Sequence, residues 1–326
     1  VGFYNSLNRV KWRRFTSTHR CVVCGRPKLC SVTDDGSTVW CARVASERPR
    51  KSGIADGWLH SLTGDDGARV KSWKLPEIPL AQRAGALDVR DVVYRELLSR
   101  LTLSAEHRTS LRKRGLTDDQ IDAGEYRSLP AGSRTRIGKL LSERFTEGQL
   151  VAVPGLFRRE GRWTVGGAPG MVVPVRTLTG QVSGCKIRVD GDCDGGRYRY
   201  MTSSSHGGAR AEMAVHVPVW APDSGALYVT EGELKADVAC ALLGECVIGI
   251  PGVSQWKLGC DVALSVRPER VIVAMDMDRG NPAVATAQEQ LIKTLRAAGL
   301  RVGGAKWDPR DKGLDDHLLN RRAVAA

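Results

Sequence analysis

The sequence predicts a mixed α/β protein in three parts: a small cysteine-rich module, a basic α+β core, and a C-terminal, mostly parallel sheet with helices on both faces. Three observations carry this. Four of the nine cysteines, Cys21, Cys24, Cys30 and Cys41, fall close together near one end. From residue 226 onward, strand-like and helix-like runs alternate, the pattern of a parallel sheet. The net charge of +13 is unevenly placed: residues 1–220 hold 36 Lys and Arg against 22 Asp and Glu, while residues 221–326 hold 13 against 14. At 326 residues the chain is long enough for two or three domains, and a 42% hydrophobic content can fill their cores. No apolar run approaches the ~20 residues of a membrane span. The polar N-terminus lacks a signal-peptide pattern. With an odd cysteine count, these features predict a cytoplasmic protein with neither a disulfide framework nor a membrane partner.

Residues 1–60 read as the module. Cys21-x2-Cys24 has the tight spacing of a metal knuckle. Leu29–Val32 and Thr38–Trp40 flank the turn sequence Thr33-Asp34-Asp35-Gly36-Ser37 and predict a hairpin that brings Cys30 and Cys41 together. Four thiolates at about 2.3 Å form a closed tetrahedral zinc site, and so small a module needs the ion to fold. His19 is an alternative to one cysteine. Incidental cysteines are the competing reading, disfavoured by four within one short stretch. Arg20, Arg26, Lys28, Arg43, Trp40 and Trp58 surround the site, a mixture suited to phosphates and stacked bases. Ser46 to Gly57 is a polar exit segment. Residues 61–85, with Gly64, Asp65, Asp66, Gly67, Pro76 and Pro79, read as a linker.

Residues 86–220 form the basic core. Val89, Val92, Val93, Leu97, Leu98 and Leu101 recur at helical spacing. Thr117-Asp118-Asp119-Gln120 is a capping-box start, and Gly124 a stop. Residues 151–220 turn β-rich, with strands at Met171–Val175 and Val182–Arg188 separated by Thr179-Gly180. Lys186, Arg188, Arg197 and Arg199 are candidate contacts to phosphates, or a solvated basic strand. Tyr198 and Tyr200 either stack on bases or pack in the core.

Residues 221–326 alternate: strand Ala226–Thr230, helix Glu233–Leu243 ended by Gly244, strand Cys246–Ile250, strand Arg270–Met275, a helix opened by Asn281-Pro282 and closed by Gly299, strand Arg301–Trp307, and helix Leu314–Arg321. Acids stand where strands end. Glu231 follows the first strand, and Asp276 and Asp278 follow the third; residues two apart in a strand share a face. Clustered carboxylates suit a hard cation such as Mg²⁺, and parallel sheets bind ligands at their carboxyl edge. Asp308, Asp311, Asp315 and Asp316 form a further cluster. Caps and solvated loops are the plain alternative for all of these acids.

Glu231-Gly232 after a strand, with Asp276-x-Asp278 after a later one, resembles the TOPRIM domain shared by DnaG-type primases, topoisomerases and some nucleases and recombination proteins. Ile248-Gly249-Ile250-Pro251-Gly252-Val253 is similar to that domain's glycine-bearing turn. Upstream, Arg114-Gly115-Leu116-Thr117, Val173-Pro174-Val175-Arg176, Gly180-Gln181-Val182-Ser183-Gly184 with Arg188, and Arg199-Tyr200-Met201-Thr202-Ser203 resemble segments of the DnaG-type polymerase core. The likeness covers about residues 15–320. It implies a Rossmann-like TOPRIM sheet, with Glu231 as general acid or base or as a metal ligand, and Asp276 and Asp278 holding Mg²⁺ or Mn²⁺; Asp315, from the further acidic cluster, is an additional candidate ligand. Two departures stand out. The zinc ligands are four cysteines where the family has Cys-His-Cys-Cys, and the position four after Glu231, often acidic in primases, is Lys235, a candidate nucleotide contact. Thr230-Glu231-Gly232-Glu233 with the following Lys235 resembles TOPRIM proteins of phages, plasmids and integrated elements.

The function expected is primer synthesis: short RNA made from NTPs on a single-stranded DNA template by Mg²⁺-dependent nucleotidyl transfer, with a replicative helicase as a partner. Two rivals belong to other classes: a non-catalytic zinc/TOPRIM factor that binds DNA in recombination or replication, and a metal-dependent TOPRIM nuclease.

Overall fold

The structure, a computed structural model, describes residues 12–16, 19–27, 29–33, 36–50, 57–62, 83–191, 196–277 and 282–325. Asp34 and Asp35 of the hairpin turn, Lys28, most of the expected linker, Asp278 and Asn281 lie outside these. The chain divides into two compact units, Val1–Ile78 and Pro79–Ala326. No helix among the described residues is long and apolar enough to cross a membrane.

The first unit is an antiparallel sheet of β1 (Trp12–Arg14), β2 (Ser31–Thr33), β3 (Thr38–Cys41) and β4 (Trp58–Ser61), in that order. The expected hairpin is β2–β3, with Ser31 opposite Trp40. Its small core gathers Phe15, Val32 and Val39 around Cys21, Cys30 and Cys41.

The second unit begins with α1 (Leu87–Ser99), α2 (Ala105–Lys113), α3 (Asp118–Ala123), β5 (Arg127–Leu129), α4 (Arg134–Ser142) and α5 (Glu147–Val151). α1 follows the expected periodicity and buries Val93, Leu97 and Leu98, but Val92 faces water at the edge of that stripe. α3 has the expected capping box, Thr117 and Gln120 each bonding the other's backbone amide. The hairpin β6 (Leu156–Arg159)–β7 (Arg162–Val165) follows, then β8 (Gly170–Arg176), β9 (Val182–Val189) and β10 (Tyr198–Tyr200). The antiparallel sheet runs β10-β9-β8-β5. Its two faces divide by the period of two. Val172 and Ile187 pack under α1 and α4, whereas Met171 and Val173 pack with Leu234 and Val238 of the C-terminal part. Met171 pairs with Arg188 and Val173 with Lys186, so both cations share the face turned toward that part.

The C-terminal part is β11 (Ala226–Glu231), α6 (Glu233–Leu243), β12 (Cys246–Ile250), α7 (Trp256–Val266), β13 (Arg270–Val273), α8 (Pro282–Ala297), β14 (Val302–Gly304) and α9 (Leu314–Ala325). All its strand pairs are parallel, in the order β12-β11-β13-β14. β11 therefore has β12 on one side and β13 on the other, and the winding direction reverses between β11 and β13. Two expected strands are shorter than the sequence suggests. β13 stops at Val273 although β11 runs on to Glu231: the Ala274 amide still bonds the Val229 carbonyl, but the chain then leaves β11, and the Met277 amide bonds the Lys312 carbonyl instead. Ala305 to Trp307 likewise leave the sheet.

Candidate functional site

The cysteine centre is built from two turns. The Gly25 amide bonds the Cys21 carbonyl and the Cys21 amide bonds the Arg26 carbonyl, curling residues 21–26 into a knuckle. Gly25 takes φ +66, which glycine adopts without strain. Cys30 enters β2, and Cys41 ends β3. The four Sγ atoms lie within 4.8 Å of one another. Cys24–Cys30 and Cys30–Cys41 are 3.7 and 3.8 Å apart, and thiolates bound to zinc at ~2.3 Å would stand about 3.8 Å from each other. The residues thus fit a tetrahedral zinc ion, and the cluster is complete without His19. Arg43 Nη1 lies 3.7 Å from Cys24 Sγ and 3.6 Å from Cys30 Sγ, its charge set against the thiolates. Burial pushes the Cys30 thiol up to about 12. Cys24 falls to about 6: burial raises it, but the Arg26 amide and the Arg43 guanidinium outweigh that. Trp40 does not offer the stacking face expected of it, because its ring is buried and its Nε1 donates to the Arg50 carbonyl at 2.8 Å. Trp58, half-buried on β4, lies opposite Cys41.

The second site lies at the carboxyl ends of β11 and β13, where the winding reverses, the place open parallel sheets reserve for ligands. Glu231 is the last residue of β11. Gly232 follows at φ +90, and a Cβ on Gly249 of the next strand would stand 2.6 Å from the Gly232 carbonyl oxygen, so this turn requires glycine at both positions. Asp276 leaves β13 almost wholly buried, and both of its oxygens accept from Lys235 Nζ, at 2.5 and 2.6 Å. Burial raises the Glu231 pKa, and neighbouring Asp276 raises it further, against Lys235, Lys312 and Lys186. Asp315 opens α9, fully buried. Its Oδ2 accepts from Arg114 at 3.1 Å, and its Oδ1 has no hydrogen-bond partner. Burial, then Asp316, raises its pKa, offset by Lys235 and Arg114. The Met277 amide donates to the Lys312 carbonyl, tying the loop after β13 to the loop before α9.

Among the described residues these acids do not close into a cluster as tight as the cysteines. The donor set nevertheless fits a hard cation: carboxylate oxygens only, one of them orphaned and buried, and two like charges at adjoining strand ends. Replacing Glu231 with Gln is expected to raise the melting temperature by a few degrees in magnesium-free buffer. The sign follows from the raised pKa: ionising Glu231 opposes folding once the pH exceeds its unfolded value. The gain therefore grows toward neutral pH and vanishes in acid, which differential scanning calorimetry across pH would register.

The basic residues expected near the site divide in two. Lys186 is buried in an ion pair with Glu233 at 2.7 Å, donates to the Pro251 carbonyl, and lies 4.7 Å from the Tyr200 ring centre. Its charge is therefore spent inside the protein. Tyr200, half-buried, reaches Glu233 with its hydroxyl at 3.4 Å. Arg188 has a buried Nε without a hydrogen-bond partner, and burial lowers its pKa. Arg197 and Tyr198 are exposed; Arg199 donates to the Gly196 carbonyl. The sequence reading missed the Lys186–Glu233 and Arg114–Asp315 pairs, and also Asp237, which joins Tyr126 to His216. Glu233 stood in view beside Glu231, but nothing local marks its burial.

A family model described as "Domain of unknown function (DUF3854)" matches residues 218–325. No curated protein matches the sequence. Among solved structures the fold is similar to the Aquifex aeolicus primase (zinc-binding and RNA polymerase domains), with a TM-score of 0.56 and 16% identity over 73% of this chain and 62% of that one. It is also similar to the DnaG primase catalytic domain bound to ssDNA (TM-score 0.54, 17% identity, 74% of this chain and 81% of that one). A third is the RNA polymerase domain of Mycobacterium tuberculosis primase DnaG in complex with double-stranded DNA (TM-score 0.55, 18% identity, 73% and 79%). The chain thus spans less than two thirds of the Aquifex structure. At these identities the likeness shows a shared fold: the described α/β architecture is that of DnaG primase domains.

Proposed function

We propose that this chain is a primase-like nucleotidyltransferase of the TOPRIM type, joining NTPs into short RNA on a single-stranded DNA template. One observation carries the reading furthest: Glu231 and Asp276 share the reversal point of the parallel sheet, and β9 turns Arg188 toward the same part of the molecule. Glu231 and Asp276, with Asp278 and Asp315, would hold Mg²⁺ or Mn²⁺. Such an ion, when bound, offsets the charge that develops on a triphosphate under attack.

The remaining roles fall to the chain itself. Glu231 would either share that ion or, left free of it, take the proton of an attacking 3′-hydroxyl. Arg188, with a donor unspent, and exposed Arg197 would bind template or nucleotide phosphates. The Lys186–Glu233 pair joins β9 to the start of α6 and so keeps these cations in register with the acids. The cysteine module, with Trp58, would hold single-stranded template. A replicative helicase as partner and a mobile-element setting belong to the same proposal.

Incubation of the full chain with single-stranded DNA, labelled NTPs and Mg²⁺ or Mn²⁺ tests it. Short RNA products are expected, reduced at least a hundredfold by Asp276→Asn, a loss of about 2.7 kcal/mol in transition-state stabilisation. A degraded template without products would instead identify a nuclease. DNA binding without products, unaltered by Asp276→Asn, would identify a non-catalytic factor.

A further inference from the structure

We propose that Lys235 is a tethered counter-cation that occupies the Asp276 carboxylate until a divalent ion displaces it. The inference rests on the metal-centre reading above. Lys235 is the third residue of α6. A cation in a helix's first turn faces the positive end of the helix dipole and the unpaired amides there. Helix stability therefore does not account for a lysine at this position, whereas Asp276 does: the ammonium bridges both carboxylate oxygens at 2.5 and 2.6 Å.

The surroundings are shaped for this contact. Gly313 lies alongside the lysine stem; a Cβ there would stand 3.3 Å from Cδ and 3.4 Å from Cε of Lys235, and 2.4 Å from Asp315 Oδ1. The positive charge acts on Glu231 and Asp315 as well as on Asp276. Two other cations near the acids have partners of their own, Lys186 on Glu233 and Arg114 on Asp315.

The ammonium sits where a carboxylate-bound ion would sit, and like charges exclude each other at bonding distance. Loading a divalent ion on Asp276 therefore requires Lys235 to leave. It can do so without moving the backbone, since its stem is flexible and its side chain is 26% exposed. The freed ammonium, on the first turn of α6, then becomes available to the phosphates of an arriving nucleotide. The site thus avoids an uncompensated buried carboxylate when no metal is present.

Titration of the zinc-loaded full chain with Mn²⁺, with free ion followed by electron paramagnetic resonance, tests this. Lys235→Met should bind Mn²⁺ at least tenfold more tightly than the parent, Lys235→Arg should keep the parent's weaker affinity, and Asp276→Asn should abolish binding. Lys235→Gln carries the same expectation as Lys235→Met if the methionine variant folds poorly by circular dichroism. Unchanged or weaker affinity in both neutral variants, with binding still abolished by Asp276→Asn, would overturn the counter-cation and leave the metal centre standing. Absence of Mn²⁺ binding in parent and variants alike would overturn the metal centre, and this inference with it.

Discussion

Removing zinc from the full chain is expected to unfold the cysteine module while the unit from Pro79 to Ala326 stays folded. Among the described residues, the module's apolar core is Phe15, Val32, Val39 and the ring of Trp40, with Val23, Ala42 and Leu62 at its edge, and chains of this size rarely fold on such a core alone. Cys21, Cys30 and Cys41 are themselves buried in it, so the four bonds of an ion would be the module's main internal cross-link. Structural zinc sites of this kind contribute on the order of 10–16 kcal/mol at neutral pH, more than a module of this size gains from apolar packing. Chelation should therefore expose Trp40, seen as a red shift in tryptophan emission. It should also collapse the dispersed NMR signals of the module, and zinc should restore both. A zinc-free chain with an unchanged spectrum would show that the cysteines do not hold the module together.

Asp237→Ala is expected to destabilise the second unit by about 3–5 kcal/mol, the cost of stripping one member from a buried charged network. The Tyr126 hydroxyl donates to Asp237 Oδ2 at 2.5 Å. His216 Nδ1 accepts from the Arg176 amide at 3.1 Å, which leaves the proton on Nε2 to donate to Asp237 Oδ1 at 2.9 Å. All three side chains are buried. Alanine would strand a tyrosine hydroxyl and an imidazole N–H with no access to water. Asp237 lies on α6, the helix that carries Glu233 and Lys235, so the network also fixes that helix against β8 and the segment before β5. Tyr126→Phe, which removes one bond and strands only one carboxylate oxygen, should cost about 1–2 kcal/mol. Urea unfolding of both variants measures this, and a loss below about 1 kcal/mol for Asp237→Ala would contradict the account.

The C-terminal part was the most legible. Glu233–Leu243 and Cys246–Ile250 form as read, because strong punctuation (Gly232, Gly244) and continuous apolar runs agree there. Strand ends were less legible, since Ala274 and Met275 look like strand by burial, yet the chain turns there from β11 toward the loop before α9, where Met277 bonds Lys312. The β6–β7 hairpin went unread although Glu160-Gly161, both at positive φ, is a turn signal between Leu156-Phe157 and Trp163-Thr164. Glu231, Asp276 and the cysteines were visible as candidates because strand ends and close spacing mark them locally. The partners of Asp276 and Lys186 were not, since an ion pair between residues 41 or 47 positions apart depends on the crossover of the fold rather than on any local pattern. Trp40 misled for the same reason: aromatic content beside basic residues suits bases, but its indole closes the module's core.

The central claim is that the acids at the β11/β13 reversal form a cation centre that receives a nucleoside triphosphate. A crystal of the zinc-loaded chain grown with Mn²⁺ and a non-hydrolysable triphosphate, imaged by anomalous scattering at the manganese edge, tests it most directly. The account predicts a manganese peak against Asp276 and Glu231, Lys235 moved off Asp276, and phosphate density reaching Arg188. At saturating Mn²⁺, a map with no peak there and Lys235 still bonded to both oxygens of Asp276 would contradict it.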